Sequence, residues 1–170
     1  LKEGAKPRLV LDLSRNLNDY LHQQHFHMEG VQDAVHAAWR GCWFGKHDLS
    51  DAYLSFPLSP EAAKYLVFEF DGRRYRFVRL PFGLSVAPRA CTLLLSVVSF
   101  ELRRLGVRHV RYLDDFLYIG RSGPDTQRMM RVAAGTLARF GLAVNQAKTV
   151  APTQDIIFLG VGMDSRACCC

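Results

Sequence analysis

Apolar and polar positions recur along this 170-residue chain in short segments that can be assigned one by one. RLVLDLS (8–14) alternates and is rich in branched apolar residues, which predicts a strand. In VQDAVHAAWR (31–40), Val31, Ala34, Val35 and Ala38 fall at helical spacing, and Gly41 follows as a stop. CWFGKHDL (42–49) is a short apolar run turning polar at its end, as a buried strand does. YLVFEF (65–70) and RRYRFV (73–78) flank Asp71-Gly72, a dipeptide that strongly favours a tight hairpin. A helix is predicted from Pro88 to Leu105, with Arg103 and Arg104 in its last turn and Gly106 beyond. VRHVRYLDDFLYIG (107–120) reads as two short strands with Asp114-Asp115 at or near their turn. A second helix, Pro124 to Phe140, sets Met130, Ala133, Leu137 and Phe140 down one side, with Gly141 as its stop. Leu142 to Val150 reads as a weak strand and IIFLGVGM (156–163) as a stronger one.

From residue 42 to 150 the order is strand, helix, strand, strand, helix, strand, the α+β ferredoxin-like βαββαβ plan. That plan hosts many unrelated activities, so function must be read from a site. In it the first strand and the central hairpin are sheet neighbours, which brings Asp48 to one edge with Asp114 and Asp115. Three converging carboxylates with no Lys or Arg among them repel one another and are tolerated where cations fill the gap. Mg²⁺ suits such a place, because it takes one or two protein carboxylates and completes its shell with water and phosphate. The matching chemistry is in-line displacement at phosphorus, one ion activating a 3′-hydroxyl and the other steadying the leaving pyrophosphate. A DD pair can also be plain solvated turn chemistry. Its apolar flanks and the matching Asp48 weigh against that.

Hydrophobic residues at 49% and charged residues at 22% indicate a folded rather than a disordered chain. No apolar run approaches the length of a membrane span, and the start, LKEGAKPR, has neither Met nor a signal-peptide pattern. The expectation is a soluble, intracellular piece of a longer polypeptide that works without a membrane, in cytoplasm or nucleus. The net charge of +6 is uneven: residues 1–85 carry 11 basic and 10 acidic groups, residues 86–170 carry 11 and 6. A basic second half suits a polyanionic partner, and solubility alone explains it equally well. Cys42, Cys91 and the terminal Cys168, Cys169 and Cys170 lack paired zinc-site spacing, and His22, His25 and His27 lack further ligands at metal spacing.

Four stretches, taken in order, resemble the motifs of reverse transcriptases. KHDLSDAYLSFPL (46–58) is similar to the first palm motif, LPFGLSVAPRA (80–90) to the second and YLDDFL (112–117) to the third. GLAVNQAKT (141–149) with FLG (158–160) is similar to the fourth motif and the primer-grip element, and RLVLDLSRNLND (8–19) to a preceding fingers segment. The wording looks most like DIRS-type tyrosine-recombinase retrotransposons, with gypsy-type elements next. The resemblance implies the palm of a right-hand polymerase with partial fingers and no thumb. Residues 1–41 would be a partial fingers segment, 42–164 the palm with a fingers hairpin inserted at about 61–80, and 165–170 a frayed tail.

Carried residue by residue, the resemblance implies metal binding by Asp48, Asp114 and Asp115 with the Leu49 backbone carbonyl, for two Mg²⁺ or Mn²⁺ ions. Lys148 would neutralise or protonate departing pyrophosphate. Arg8, Asp51, Ala52, Tyr53, Phe82 and Gly83 would meet the incoming dNTP, with Lys6 a weaker second cation. Tyr53 would sit beneath the sugar and leave no room for a 2′-hydroxyl. Phe82 departs from the Gln of retroviral enzymes, and LSRNLND carries one residue more than the retroviral fingers pattern. Phe158, Leu159 and Gly160 would grip the primer. RRYRFVR (73–79) either touches template or is solvated arginine above a buried aromatic face. The implied activity is RNA-directed DNA polymerisation on a primed RNA or DNA template. It would act within a polyprotein that also carries thumb, RNase H and recombinase or integrase. Two alternatives stand beside it: a catalytically silent remnant that binds nucleic acid, and an RNA-templated RNA polymerase, against which Tyr53 counts.

Overall fold

A computed structural model of the chain describes residues 9–13 and 17–167. Lys6, Arg8, Ser14 and Cys168 to Cys170 therefore lie outside the described residues. Two compact units emerge, one of residues up to 25 with 53–91, the other of residues 26–52 with the chain from 92 on. No helix among the described residues is long and apolar enough to cross a membrane.

The second unit holds helix α1 (Val31–Ala37) and strand β1 (Trp43–Asp48). Most of helix α3 (Ala87–Arg104) also belongs to it, followed by β4 (His109–Tyr112) and β5 (Asp115–Gly120). Helix α4 (Gly123–Arg139) and strands β6 (Val150–Thr153), β7 (Asp155–Phe158) and β8 (Val161–Asp164) complete it. The first unit holds helix α2 (Pro60–Ala63) and the hairpin β2 (Val67–Phe70) and β3 (Arg73–Arg76).

Four strands form an antiparallel sheet in the order β4-β5-β1-β6. Counted as strands of the expected plan, this is second, third, first, fourth, so the ferredoxin-like topology holds. Strand alternation sorts its two faces. Phe44, Val110, Leu117 and Ile119 point to one side, into a core with Ala34, Cys42, Ile156, Phe158 and Met163. Lys46, Asp48 and Asp115 share that side, being two residues along from Phe44, Lys46 and Leu117 respectively. The opposite side presents Gly45 and Gly120 to α4. A Cβ on Gly120 would fall 2.3 Å from Thr126 Oγ1, and one on Gly45 would fall 2.5 Å from Met130 Sδ. Backbone and helix can approach this closely only without those side chains.

Three expectations are corrected. Residues 142–150 are not a strand: Val144 makes one isolated bridge to Leu49, and a 3₁₀ turn follows at Gln146–Lys148 before β6. Asn145 explains it, since its Oδ1 caps Ala147 N–H and its own N–H is taken by Asp48. The 156–163 run is a hairpin, β7 and β8, folded at Leu159 (φ +50°) and Gly160 (φ +81°). The strand predicted at 8–14 reduces, over 9–13, to one parallel bridge between Val10 and Phe82. Alternation makes a strand only where a partner edge is available along its length.

Candidate active site

β1 pairs with β5 so that Asp48 lies opposite Asp115, with both side chains on one sheet face. Asp114 sits in the two-residue turn between β4 and β5, and its carbonyl accepts the Leu49 N–H at 2.9 Å. The end of β1 is thus tied directly to the turn. Leu113 adopts φ +48° there, a conformation costing about 1–2 kcal/mol for a residue with a Cβ. The buried strands on either side hold it. Burial raises the Asp114 carboxyl above the ordinary carboxylate range; the charges of Asp115 and Asp48 push the same way, and Lys148 opposes them. All three predicted carboxylates are therefore brought together.

The charge balance differs from expectation, because two lysines stand among them. Lys148 Nζ lies 3.1 Å from Asp48 Oδ2, and Lys46 Nζ lies 2.9 Å from Asp115 Oδ1. With these pairings, no group of three His, Cys, Asp or Glu among the described residues stands arranged to hold an ion. Mutual repulsion is relieved by ammonium groups. Lys46 was legible in principle: it sits two residues before Asp48 in a strand, hence on the same face. The donor set nonetheless fits a hard divalent cation. It consists of carboxylate oxygens, and Asp115 Oδ1 is buried with no aligned hydrogen bond despite the nearby ammonium.

Segment 143–145 runs beside the end of β1: Ser50 N–H donates to Ala143 O, and Asn145 N–H to Asp48 O, each at 2.8 Å. Lys148 follows in the 3₁₀ turn, so one loop holds both the backbone and the carboxylate of Asp48. Asp51 adopts φ +48° in the turn after β1, and Ala52 is buried.

Tyr53, Phe82 and Gly83 belong to the first unit. The rings of Tyr53 and Phe82 meet edge to face at 5.1 Å. Gly83 has φ +98°, and a Cβ on it would lie 1.9 Å from Leu11 O, so the chain's own residue 11 demands this glycine. Asn18, to which the sequence assigned no role, fastens this loop. Its Nδ2 donates to Gly83 O at 2.9 Å, and its Oδ1 accepts from Ser85 N–H at 2.8 Å.

Phe158 is wholly buried in the core and Leu159 packs half-buried against it, which leaves Gly160 at the β7–β8 turn as the exposed part of the predicted primer grip. The aromatic face of β3 is not buried: Tyr75 is 43% exposed, and Phe68 stacks on it at 5.5 Å.

A family model described as reverse transcriptase (RNA-dependent DNA polymerase) matches residues 1–163. Protein P of duck hepatitis B virus is 29% identical over 121 residues, 70% of this chain and 15% of that protein. The retrovirus-related Pol polyprotein from transposon 412 of Drosophila melanogaster is 25% identical over 158 residues, 93% of this chain and 12% of that protein. The chain thus spans about 15% or less of these relatives' length. The foamy viral protease-reverse transcriptase in complex with double-stranded DNA superposes with a TM-score of 0.82 at 18% identity, covering 93% of this chain and 27% of that one. The same viral enzyme with an RNA/DNA hybrid gives 0.75 at 18%, covering 92% and 21%. With almost its whole length matched by the family and its sheet carrying the fold, the chain belongs to the reverse transcriptase family.

Proposed function

We propose that this chain is the nucleotidyl-transferring core of a retroelement RNA-directed DNA polymerase, extending a primer with dNTPs on an RNA or DNA template. One observation carries the reading: Asp48 and Asp115 face each other across β1 and β5 while Leu49 N–H is bonded to Asp114 O. Asp48, Asp114 and Asp115, with the Leu49 carbonyl, would hold two Mg²⁺ or Mn²⁺ ions. When bound, such ions supply the positive charge that in-line displacement at phosphorus requires. Lys148, beside Asp48, is suited to hold negative charge on departing pyrophosphate and to give it a proton. Lys46 keeps Asp115 neutralised and fixed.

Tyr53, braced by the Phe82 edge, excludes a 2′-hydroxyl and so selects dNTPs, with the backbone at Asp51 and Ala52, Gly83 and Arg8 taking the rest of the nucleotide. The Leu159-Gly160 turn serves the primer. In this reading residues 42–164 are the palm, 1–41 and the hairpin near 61–80 belong to the fingers, and 165–170 trail. Thumb, RNase H and recombinase or integrase belong to the rest of a polyprotein. A DIRS-type element fits the motif wording best, with a gypsy-type next. The solved foamy viral relatives hold double-stranded DNA and an RNA/DNA hybrid, which supports a primed template as partner.

The catalytically silent remnant has one observation in its favour, the lysine pairing of both Asp48 and Asp115. Primer extension by the whole protein on RNA and DNA templates, with dNTPs and with NTPs, separates the readings. Asp114→Asn is expected to abolish dNTP addition. Undiminished synthesis by that variant removes the polymerase assignment, and synthesis by neither protein leaves the remnant.

A further inference from the structure

A second basic feature of the larger unit has no part in the site above. A cavity of about 410 Å³ is lined by Trp39, Arg108, Arg121, Ser122, Asp125 and Arg128, closed behind by Ile119 and Met129. It lies at the far end of β5 from Asp115, six residues along a strand and so roughly 20 Å away at about 3.3 Å per residue. Its charge is net positive, with three guanidinium groups against the Asp125 carboxylate. That carboxylate is already engaged: Oδ1 pairs with Arg128 at 2.9 Å, and Oδ2 accepts the Arg121 N–H at 3.2 Å. Among the described residues, neither Arg108 nor Arg121 makes a direct ion pair, although the charge of Arg121 helps hold Asp125 ionised. Arg108 instead lies over the Trp39 ring, 4.8 Å from its centre.

We propose that this cavity is an accessory binding site for single-stranded nucleic acid, taking one nucleotide with its flanking phosphates. Size agrees, since small-ligand sites begin near 300 Å³. Chemistry agrees more closely. The Arg108 guanidinium, backed by the indole, presents a plane on which an unpaired base stacks, and the Arg121 guanidinium beside it holds phosphate oxygens. An acidic peptide would satisfy the arginines but would leave the aromatic wall without a matching ring.

The test uses a Trp43→Phe chain, in which Trp39 is the sole tryptophan, so its fluorescence reports this cavity and not the carboxylate site. Titration with a twelve-residue oligouridylate is expected to quench Trp39 saturably. Arg108→Gln with Arg121→Gln should weaken that binding at least tenfold. It should also reduce the slope of log affinity against log salt by about 1.4, the value for two lost contacts to a single strand. Arg139→Gln, at the other end of α4, should change neither. Absence of quenching, quenching unaltered in the double variant, or equal quenching by a poly-glutamate peptide of the same charge overturns the proposal. Circular dichroism of the double variant should match its parent, because both replaced side chains are exposed.

Discussion

Two hairpins in this chain have the same connectivity and opposite surroundings. In β2–β3, all residues but the half-buried Phe68 are exposed, and its turn is Asp71 (φ +51°) and Gly72 (φ +66°). In β4–β5, eight of the ten strand residues are buried, and the turn contains Leu113 at φ +48°. The first closes because its turn residues accept the left-handed region cheaply. The second closes because a core on both faces holds its strands, which leaves enough stability to keep a strained leucine and a half-buried aspartate at the tip. Local preference builds the exposed hairpin, and tertiary packing builds the one that carries the carboxylates.

This difference is open to attack at several points. Leu117→Ala, in a wholly buried side chain of β5, is expected to cost about 2–5 kcal/mol in urea unfolding. A loss below about 1 kcal/mol would show that packing does not hold that hairpin. Acid acts on the same hairpin through His109, which burial depresses to about 4. Between pH 6.5 and 4 the unfolded chain takes up a proton that the folded chain refuses, so stability falls as pH drops through this window. The contribution is about 3 kcal/mol. His109→Phe should make that part of the stability–pH curve shallower, the remainder being carried by His47, which burial also depresses to about 4; an unchanged slope would show that His109 takes no part. Gly72→Ala places a Cβ at φ +66° in the exposed hairpin and should cost about 1 kcal/mol, with amide exchange rising in residues 67–76 and unchanged in β4–β5. Phe70→Ala, at a side chain 70% exposed, should move the urea midpoint by no more than about 0.5 kcal/mol equivalent.

The same contrast explains what the sequence disclosed. The Asp71-Gly72 turn, the glycine stops of α3 and α4 at Gly106 and Gly141, and the β1-to-β5 part of the plan were legible because their signals are local. Phe158-Leu159-Gly160 hid a turn, because leucine at φ +50° carries no turn signature and is set there by the β7–β8 pairing. Residues 142–150 read as a strand, yet Asn145 spends its backbone on Asp48 and its side chain on a cap. Asp48, Asp114 and Asp115 were found together because strand order follows from element order. Lys148 was placed at the site by its motif, but its pairing with Asp48 depends on a loop conformation that the motif does not announce. Lys46 was missed, although strand alternation alone puts it on the face of Asp48. Gly83 was ascribed to approach by a nucleotide, and the structure supplies a nearer cause in Leu11 O.

The loop that grips Asp48 at both its carbonyl and its carboxylate leaves no slack between Ala143 and Lys148. Adding or deleting a single amino acid there would slide the ammonium away or unhook the amide. Length polymorphism among kindred elements should therefore gather in the open β2–β3 ribbon and be purged from this six-residue stretch.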